Sequence, residues 1–71
     1  MVDYHKELMY TGTQIRKFRE AKNLTVQELA YQTDKERSYL SKVEGGKINI
    51  TYNTLCIIAN ALEVKLSDLV K

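Results

Sequence analysis

The chain has 71 residues, of which 44% are hydrophobic and 28% are charged, and its formal net charge at pH 7 is +2. This length suits one small domain with its own core, and this composition is that of a globular protein rather than a disordered chain. The single cysteine, Cys56, excludes both an internal disulfide and a cysteine-based zinc finger. No apolar run is long enough to span a bilayer, and no apolar signal segment is present. We therefore expect a cytoplasmic protein with no membrane partner.

The first nine residues show no regular hydrophobic period. Three arrangements are open for them: a frayed arm, a helical extension from about residue 3 to residue 9, or a strand that pairs with a partner chain. We assign residues 1–9 to an N-terminal arm and residues 10–71 to the domain itself. His5 lies in this arm without other metal-ligand residues at a suitable spacing, so we expect no metal site and no cofactor.

The chain contains no proline and only three glycines, which predicts helices joined by short connections. The first helix of the domain is expected over residues 11–22, where Ile15, Phe18 and Ala21 lie on one helical stripe. Asn23 then suits the left-handed position that ends a helix.

The second helix has the clearest start signal in the chain. Thr25 and Glu28 match a capping box, in which each side chain accepts a hydrogen bond from the backbone N–H of the other residue. The helix is expected to end near Thr33, with Asp34 in a left-handed turn position.

The third helix is expected over about residues 36–44. Leu40 and Val43 form its inward pair, and Gly45 and Gly46 end it. The opposite side of the helix then carries four polar or basic residues: Arg37, Ser38, Ser41 and Lys42. Between residues 35 and 47 there are four basic and two acidic residues, which is a local excess of positive charge.

The fourth helix is expected from about residue 51 to residue 62. An apolar stripe with helical spacing faces inward and consists of Leu55, Ile58, Ala59 and Leu62. We expect Tyr52 to join this stripe one turn earlier, and a short fifth helix to follow over residues 67–70. The sequence therefore predicts an all-α domain of five helices.

In its order of elements and in its motifs, the chain from about residue 10 onward resembles the Cro/repressor-type (XRE-like) helix-turn-helix family. The family pattern contains G-x-x-I-R-x-x-R, then L-T-Q-x-x-L-A, S-x-x-Y-I-S-x-x-E-x-G and L-x-x-L-x-x-I-A-x-A-L. The residues that match it are Gly12, Ile15, Arg16, Arg19, Leu24, Thr25, Leu29, Ala30, Tyr39, Leu40, Ser41, Glu44, Gly46, Leu55, Ile58, Ala59, Ala61 and Leu62. Within the family, the stretch ERSYLSKVEGGKIN at residues 36–49 is similar to controller proteins of restriction–modification systems and to small phage-type repressors.

The resemblance implies a five-helix lambda-repressor-like fold and a sequence-specific transcriptional regulator that binds double-stranded DNA. The helix at residues 36–44 would be the recognition helix in the major groove. The resemblance implies base contacts by Arg37, Ser38 and Lys42, and an arginine can donate two hydrogen bonds to guanine. It implies DNA-backbone contacts by Thr25, Tyr39, Ser41, Lys47, Asn49 and Thr51. Arg19 and Glu44 match an ion pair that ties the first helix to the recognition helix.

Three residues depart from the family pattern. Val26 stands where a glutamine usually binds phosphate, and Lys35 stands where the turn is usually apolar. Glu36 replaces a small hydroxyl residue or aspartate, and three roles are open for it: a cap for the recognition helix, an acceptor for a cytosine amine, or a charge that repels phosphate. For the Tyr39 ring, packing against the second helix and contact with phosphate are equally open.

A single unit of this size offers few DNA contacts, so we expect a homodimer on a near-palindromic operator with half-sites about 34 Å apart. The expected dimer interface consists of Ile57, Val64 and Val70, whereas Leu66 and Leu69 are expected in the core. The alternative is an antitoxin-like module that uses the same fold to bind a protein. The sequence shows no paired carboxylates, metal-ligand cluster or glycine-rich phosphate loop. We therefore expect no catalytic residues, no enzyme activity and no small-molecule ligand.

Overall fold

The computed structural model describes residues 3–71, which contain four α-helices followed by one 3-10 turn. The helices are α1 (Tyr4–Ala21), α2 (Val26–Thr33), α3 (Arg37–Glu44) and α4 (Tyr52–Leu62), and the turn spans Leu66–Asp68. No strand occurs in this range. The prediction of an all-α fold is thus confirmed, whereas the prediction of five helices is wrong.

A single turn at Leu66–Asp68 lies where the fifth helix was expected. The amide of Gln14 on α1 donates a hydrogen bond to the Asp68 carbonyl at 3.0 Å, which ties this turn to α1. The Asp68 carboxylate accepts a hydrogen bond from the backbone N–H of Lys65 at 2.9 Å, which closes the turn. Starting a helix in so short a segment is unfavourable.

α1 begins well before the predicted start at residue 11. Asp3 caps it by accepting a hydrogen bond from the backbone N–H of Lys6 at 3.1 Å. Of the three arrangements open for the N-terminal segment, residues 4–9 adopt the helical extension, and α1 runs without a break past residue 9. The first two residues of the expected arm, Met1 and Val2, lie outside the described residues.

Local signals set the ends of the middle helices as predicted. In the capping box of α2, the Glu28 N–H donates to the Thr25 hydroxyl at 3.1 Å, and the Thr25 N–H donates to the Glu28 carboxylate at 2.8 Å. Asn23 before α2 and Asp34 after it are left-handed, each with a φ of 57°. Gly46 ends the turn after α3 with a φ of 68°, a conformation that costs glycine little.

α3 begins without a side-chain cap, unlike the other three helices. Asp3, Thr25 and Thr51 each accept a hydrogen bond from the first turn of their helix, whereas the side chain of Glu36 accepts none. Glutamate is not among the short residues that cap helices well, because its carboxylate lies one methylene farther from the backbone. The prediction that Glu36 caps α3 is therefore wrong. Its roles as an acceptor for a cytosine amine and as a charge that repels phosphate stay predictions.

One hydrophobic core lies where the four helices and the C-terminal turn meet. Its buried members are Ile15, Leu29, Ala30, Leu40, Val43, Leu55, Ile58, Ala59, Leu62 and Leu69, and Leu66 packs against them. Tyr52 does not join this core as predicted and is 70% exposed. Thr54 is buried there instead, because the hydroxyl of Thr51 donates to its hydroxyl at 2.9 Å and accepts from its N–H at 3.1 Å.

α1 crosses the last turn of α3 at Gly12 with no space between the two backbones. A methyl group at Gly12 would lie 2.5 Å from the carbonyl oxygens of Val43 and Glu44, so only glycine permits this approach. Three residues earlier on α1, Met9 lies so close to Gly46 that a Cβ there would come within 2.8 Å of its Cγ. The C-terminal end of α3 is therefore packed directly onto α1.

Candidate nucleic-acid interface

The outward face of α3 carries the residues that are predicted to contact base edges. Three buried residues form the inward side of the helix: Leu40, Val43 and Glu44. At about 100° per residue, Ser38 and Lys42 lie about 40° apart on the opposite side. Both side chains are exposed, as is Arg37 at the first helical position. The helix thus presents all three residues to solvent, and their contacts with bases stay a prediction.

The accessible charge around α3 is more positive than the sequence count indicates. Of the two acidic residues between positions 35 and 47, Glu44 has a side chain that is only 1% exposed and is paired with arginine. Glu36 is the acidic residue that remains exposed. The basic residues Arg37, Lys42 and Lys47 are all exposed. A surface of this kind favours an anionic partner such as a phosphate backbone.

Arg19 and Glu44 form the predicted ion pair between α1 and α3. Arg19 Nε donates to Glu44 Oε2 at 2.7 Å, and Arg19 Nη2 donates to Glu44 Oε1 at 3.1 Å. The Arg19 side chain is 10% exposed. Hydrogen bonding to Glu44 raises the pKa of the Arg19 guanidinium above its usual value, although burial opposes the shift. Arg19 therefore stays charged in its buried position.

A third N–H group of Arg19 binds the chain at the start of α2. Arg19 Nη1 donates to the Leu24 carbonyl at 2.6 Å. Leu24 immediately precedes Thr25, the cap of α2, and Glu44 is the last residue of α3. One buried guanidinium therefore holds the beginning of α2 and the end of α3 against α1.

Arg16 also contacts Glu44, which is a contact that the sequence did not lead us to predict. Its Nε donates to Glu44 Oε1 at 3.4 Å, while its side chain is 58% exposed. Arg16 and Arg19 are three residues apart on α1 and therefore lie on the same helix face. That spacing of two arginines is the sequence signal that could have indicated a shared carboxylate.

The N-terminus of α2 presents two backbone N–H groups without partners. The hydroxyl and the N–H of Thr25 are both used in the capping box with Glu28. Within residues 3–71 the N–H groups of Val26 and Gln27 make no hydrogen bond, as is usual in the first turn of a helix. Thr25 is exposed, as a contact with DNA requires.

The other predicted DNA-backbone residues lie on α3 and in the loop that follows it. Lys47, Asn49 and Thr51 are exposed in the connection between α3 and α4. Ser41 is exposed on α3, whereas Tyr39 is half-buried and packs against the core. Packing of the Tyr39 ring is therefore observed, and its contact with phosphate stays a prediction.

The three predicted dimer-interface residues differ in how they relate to the core. Val64 and Val70 are half-buried and pack against it. Ile57 on α4 is also half-buried, but among the described residues it is not one of those that pack against the core. Among the described residues, Ile57 is thus the one of the three that does not pack against the core, and the interface itself stays a prediction.

Residues 3–71 bring together no group of three His, Cys, Asp or Glu side chains that could hold a metal ion. None of the helices in this range is both long and apolar enough to cross a membrane.

Comparison with known proteins places the chain in a family. The family described as Helix-turn-helix matches residues 15–69. The immunity repressor protein of Bacillus phage phi105 is 34% identical over 62 residues, which are 87% of this chain and 43% of that protein. The control protein C.BamHI of Bacillus amyloliquefaciens is 34% identical over 59 residues, which are 82% of this chain and 73% of that protein. The chain thus spans less than half the length of the phage repressor.

Solved structures of controller proteins have the same fold. The restriction-modification controller protein C.AhdI from Aeromonas hydrophila superimposes with a TM-score of 0.90 at 31% identity, over 96% of this chain and 99% of that chain. The controller protein C.Esp1396I, solved as a tetramer in complex with its natural 35 base-pair operator, gives a TM-score of 0.77 at 34% identity, over 82% of this chain and 76% of that chain. Because the family match covers more than half of its residues, the chain belongs to the XRE-type helix-turn-helix family, whose members are DNA-binding transcriptional regulators and not enzymes.

Proposed function

We propose that this protein regulates transcription by placing α3 in the major groove of a specific DNA operator. The observation that carries the proposal is the outward face of α3, where Arg37, Ser38 and Lys42 are exposed on a helix held by its buried side and by Glu44. A firmly held helix with outward polar side chains is the means by which helix-turn-helix proteins contact base edges. The proposed location is the cytoplasm, where operator DNA is accessible.

The three outward residues suit different parts of a base pair. Arg37 and Lys42 carry donors for guanine O6 and N7, and a bidentate arginine contributes about 1–3 kcal/mol of discrimination between bases. Ser38 can donate or accept, so it tolerates more than one base. Because Ser38 and Lys42 are the most outward pair, they are proposed to enter the groove deepest, with Arg37 beside them at the start of the helix.

Phosphate groups on the two sides of the groove would be bound by different chemistry. At the start of α2, the Thr25 hydroxyl accepts a hydrogen bond in the capping box and can still donate its own O–H, so this hydroxyl and the unpartnered N–H groups of Val26 and Gln27 are the donors available to a phosphate. Beyond α3, the exposed side chains of Lys47 and Asn49 supply a charge and an amide. Side-chain contacts by Tyr39 and Ser41 complete the proposed set. Thr51 would contribute its backbone N–H, because its hydroxyl donates to Thr54.

We further propose that two copies bind a near-palindromic operator. One domain of this size supplies few base contacts, and a symmetric pair doubles them on half-sites about 34 Å apart. Ile57 is proposed at the centre of the interface because it is half-exposed and apolar, with Val64 and Val70 at its edge. The tetramer of the related controller C.Esp1396I on its operator supports self-association of this kind.

Selection of bound sequences from a pool of random duplexes, using the full chain, tests the proposal and identifies the operator. The expected result is a near-palindromic sequence whose affinity falls steeply between about 50 and 200 mM salt, because bound phosphates release counterions. The control protein has Arg37 and Lys42 both replaced by alanine, which removes two exposed cations and leaves the core intact. If no duplex is bound even at low salt, DNA binding is overturned in favour of the protein-binding alternative.

A further inference from the structure

The strongest feature outside the proposed contact set is the pair of arginines that share one carboxylate. Glu44 receives two short hydrogen bonds from Arg19, at 2.7 Å and 3.1 Å, and one longer bond from Arg16, at 3.4 Å. The side chains of Glu44 and Arg19 are almost fully buried, whereas the side chain of Arg16 is 58% exposed. Arg16 therefore lies on the solvent side of this cluster.

Arg19 lies near two carboxylates, because the exposed Glu20 is also 3.9 Å from the Arg19 Nη2, whereas the contact of Arg16 is with Glu44. Arg19 alone neutralises Glu44, because their contact has the two-bond geometry of the strongest arginine–carboxylate pairs. Arg16 adds a second positive charge, and its longer bond uses only one of its five N–H groups. Within residues 3–71, its terminal Nη1 and Nη2 groups make no hydrogen bond. A flat guanidinium with free donors on the solvent side is suited to an anion with several oxygens.

The position of Arg16 relates it to both proposed DNA-backbone elements. Arg19, one turn farther along α1, binds the carbonyl of Leu24, which adjoins the N-terminus of α2. Glu44, which Arg16 contacts, is three residues before Lys47 in the loop after α3. Arg16 thus contacts, through Glu44, the end of α3 that leads into this loop, and its exposed side chain lies one helical turn from Arg19, which binds next to the N-terminus of α2.

We propose that Arg16 is a DNA phosphate contact in addition to those named above. This proposal rests on the proposed function, since it assumes that DNA lies across α3. Glu44 orients the guanidinium through Nε, and Nη1 and Nη2 bind the phosphate oxygens. The contact adds affinity without base preference, because every nucleotide presents the same phosphate.

The test compares Arg16→Gln with Lys17→Gln in the full chain. Lys17 is the matched control, because it is the adjacent exposed cation on α1 and its Nζ lies over the Phe18 ring, 5.6 Å from the centroid. Binding to a duplex recovered by selection, and to a random duplex of equal length, is measured over a series of salt concentrations. Arg16→Gln is expected to lower the slope of log K against log salt by about 0.9 per subunit for both duplexes. Lys17→Gln is expected to leave the slope nearly as it is.

The outcomes of this comparison distinguish failure of the Arg16 contact from failure of the proposed function. Equal slopes for the two variants would overturn the phosphate contact. A lower melting temperature for Arg16→Gln with the wild-type slope would make Arg16 a structural partner of Glu44 only, and this also overturns the proposal. Arg16→Lys keeps the charge, so recovery of the slope in this variant supports the contact even if Arg16→Gln is less stable. If the wild-type protein itself shows no salt-dependent binding, the proposed function fails rather than this inference alone.

Discussion

Arg19 and Glu44 are joined by two hydrogen bonds at the end of the helix that is proposed to contact bases. Both residues are buried, at 8% and 5% exposure, so water cannot replace either partner. Removing one partner of such a pair leaves a buried charge, whereas an exposed pair loses little when it is broken. The pair therefore fixes α3, and breaking it would leave a buried charge without a partner.

Glu44→Ala is expected to lower the free energy of unfolding by about 3–5 kcal/mol, because the buried Arg19 charge then has no partner. Urea denaturation at constant pH measures the loss. Glu63→Ala is the control, since Glu63 pairs with Lys22 at the surface and its side chain is 76% exposed. If the two variants lose similar amounts of unfolding free energy, burial does not determine how much an ion pair contributes to stability.

Glu36→Ser is expected to stabilise the protein by on the order of 1 kcal/mol, because serine caps a helix and Glu36 does not. Thr25→Ala is the opposite control and should lower stability by a similar amount, since it removes an observed cap. Thermal unfolding monitored by circular dichroism measures both. A lower melting temperature for Glu36→Ser would mean that the carboxylate stabilises α3 in another way.

Glu36→Ser also separates the two roles that remain for this carboxylate. If Glu36 accepts a hydrogen bond from cytosine, selection from random duplexes should lose a preference for cytosine at one position of each half-site. If it repels phosphate, affinity should rise equally for all duplexes. The two outcomes differ in sequence preference and can be told apart in one experiment.

Arg37→Ala is expected to relax the preference at one base of each half-site and to weaken operator binding by about 1–3 kcal/mol. Lys47→Ala is the matched control in the loop after α3. Loss of a phosphate contact there should weaken binding to all duplexes by the same factor. Parallel selection experiments with the two variants measure the difference. If Arg37→Ala instead lowers the affinity for all duplex sequences equally, Arg37 is a phosphate contact.

Ile57→Lys is expected to shift the sedimentation profile toward monomer, because a charge at an apolar interface is costly to bury. Asn60→Lys adds the same charge on the same helix at an exposed position and serves as the control. Unfolding curves check that both variants remain folded. An unchanged dimer in Ile57→Lys would remove this residue from the interface.

The features that could be predicted from sequence are those set by neighbouring residues. The capping box of Thr25 and Glu28 and the left-handed residues Asn23 and Asp34 depend on local hydrogen bonds and backbone preferences, so they are readable without a fold. The exposed face of α3 follows from helical periodicity. The base, phosphate and interface roles assigned to individual side chains depend on partners, and these roles stay predictions.

The features that were missed depend on contacts between distant residues. Gln14 donates a hydrogen bond to the Asp68 carbonyl 54 positions away, a contact that no local pattern reveals. Thr54 takes the buried place expected for Tyr52, and its hydroxyl accepts a hydrogen bond from the Thr51 hydroxyl. The contact of Arg16 with Glu44 spans 28 positions and required the packing of α1 on α3.

The close contact at Gly12 has a consequence for the proposed binding to an operator. At Gly12 the carbonyl oxygens of α3 lie directly against α1, so no side chain separates the two helices at this crossing. The recognition surface is thus preorganised, and association loses little conformational entropy in the protein. When the spacing or curvature of an operator departs from the ideal, the duplex must supply the deformation, so the bending stiffness of uncontacted base steps becomes part of what the protein selects.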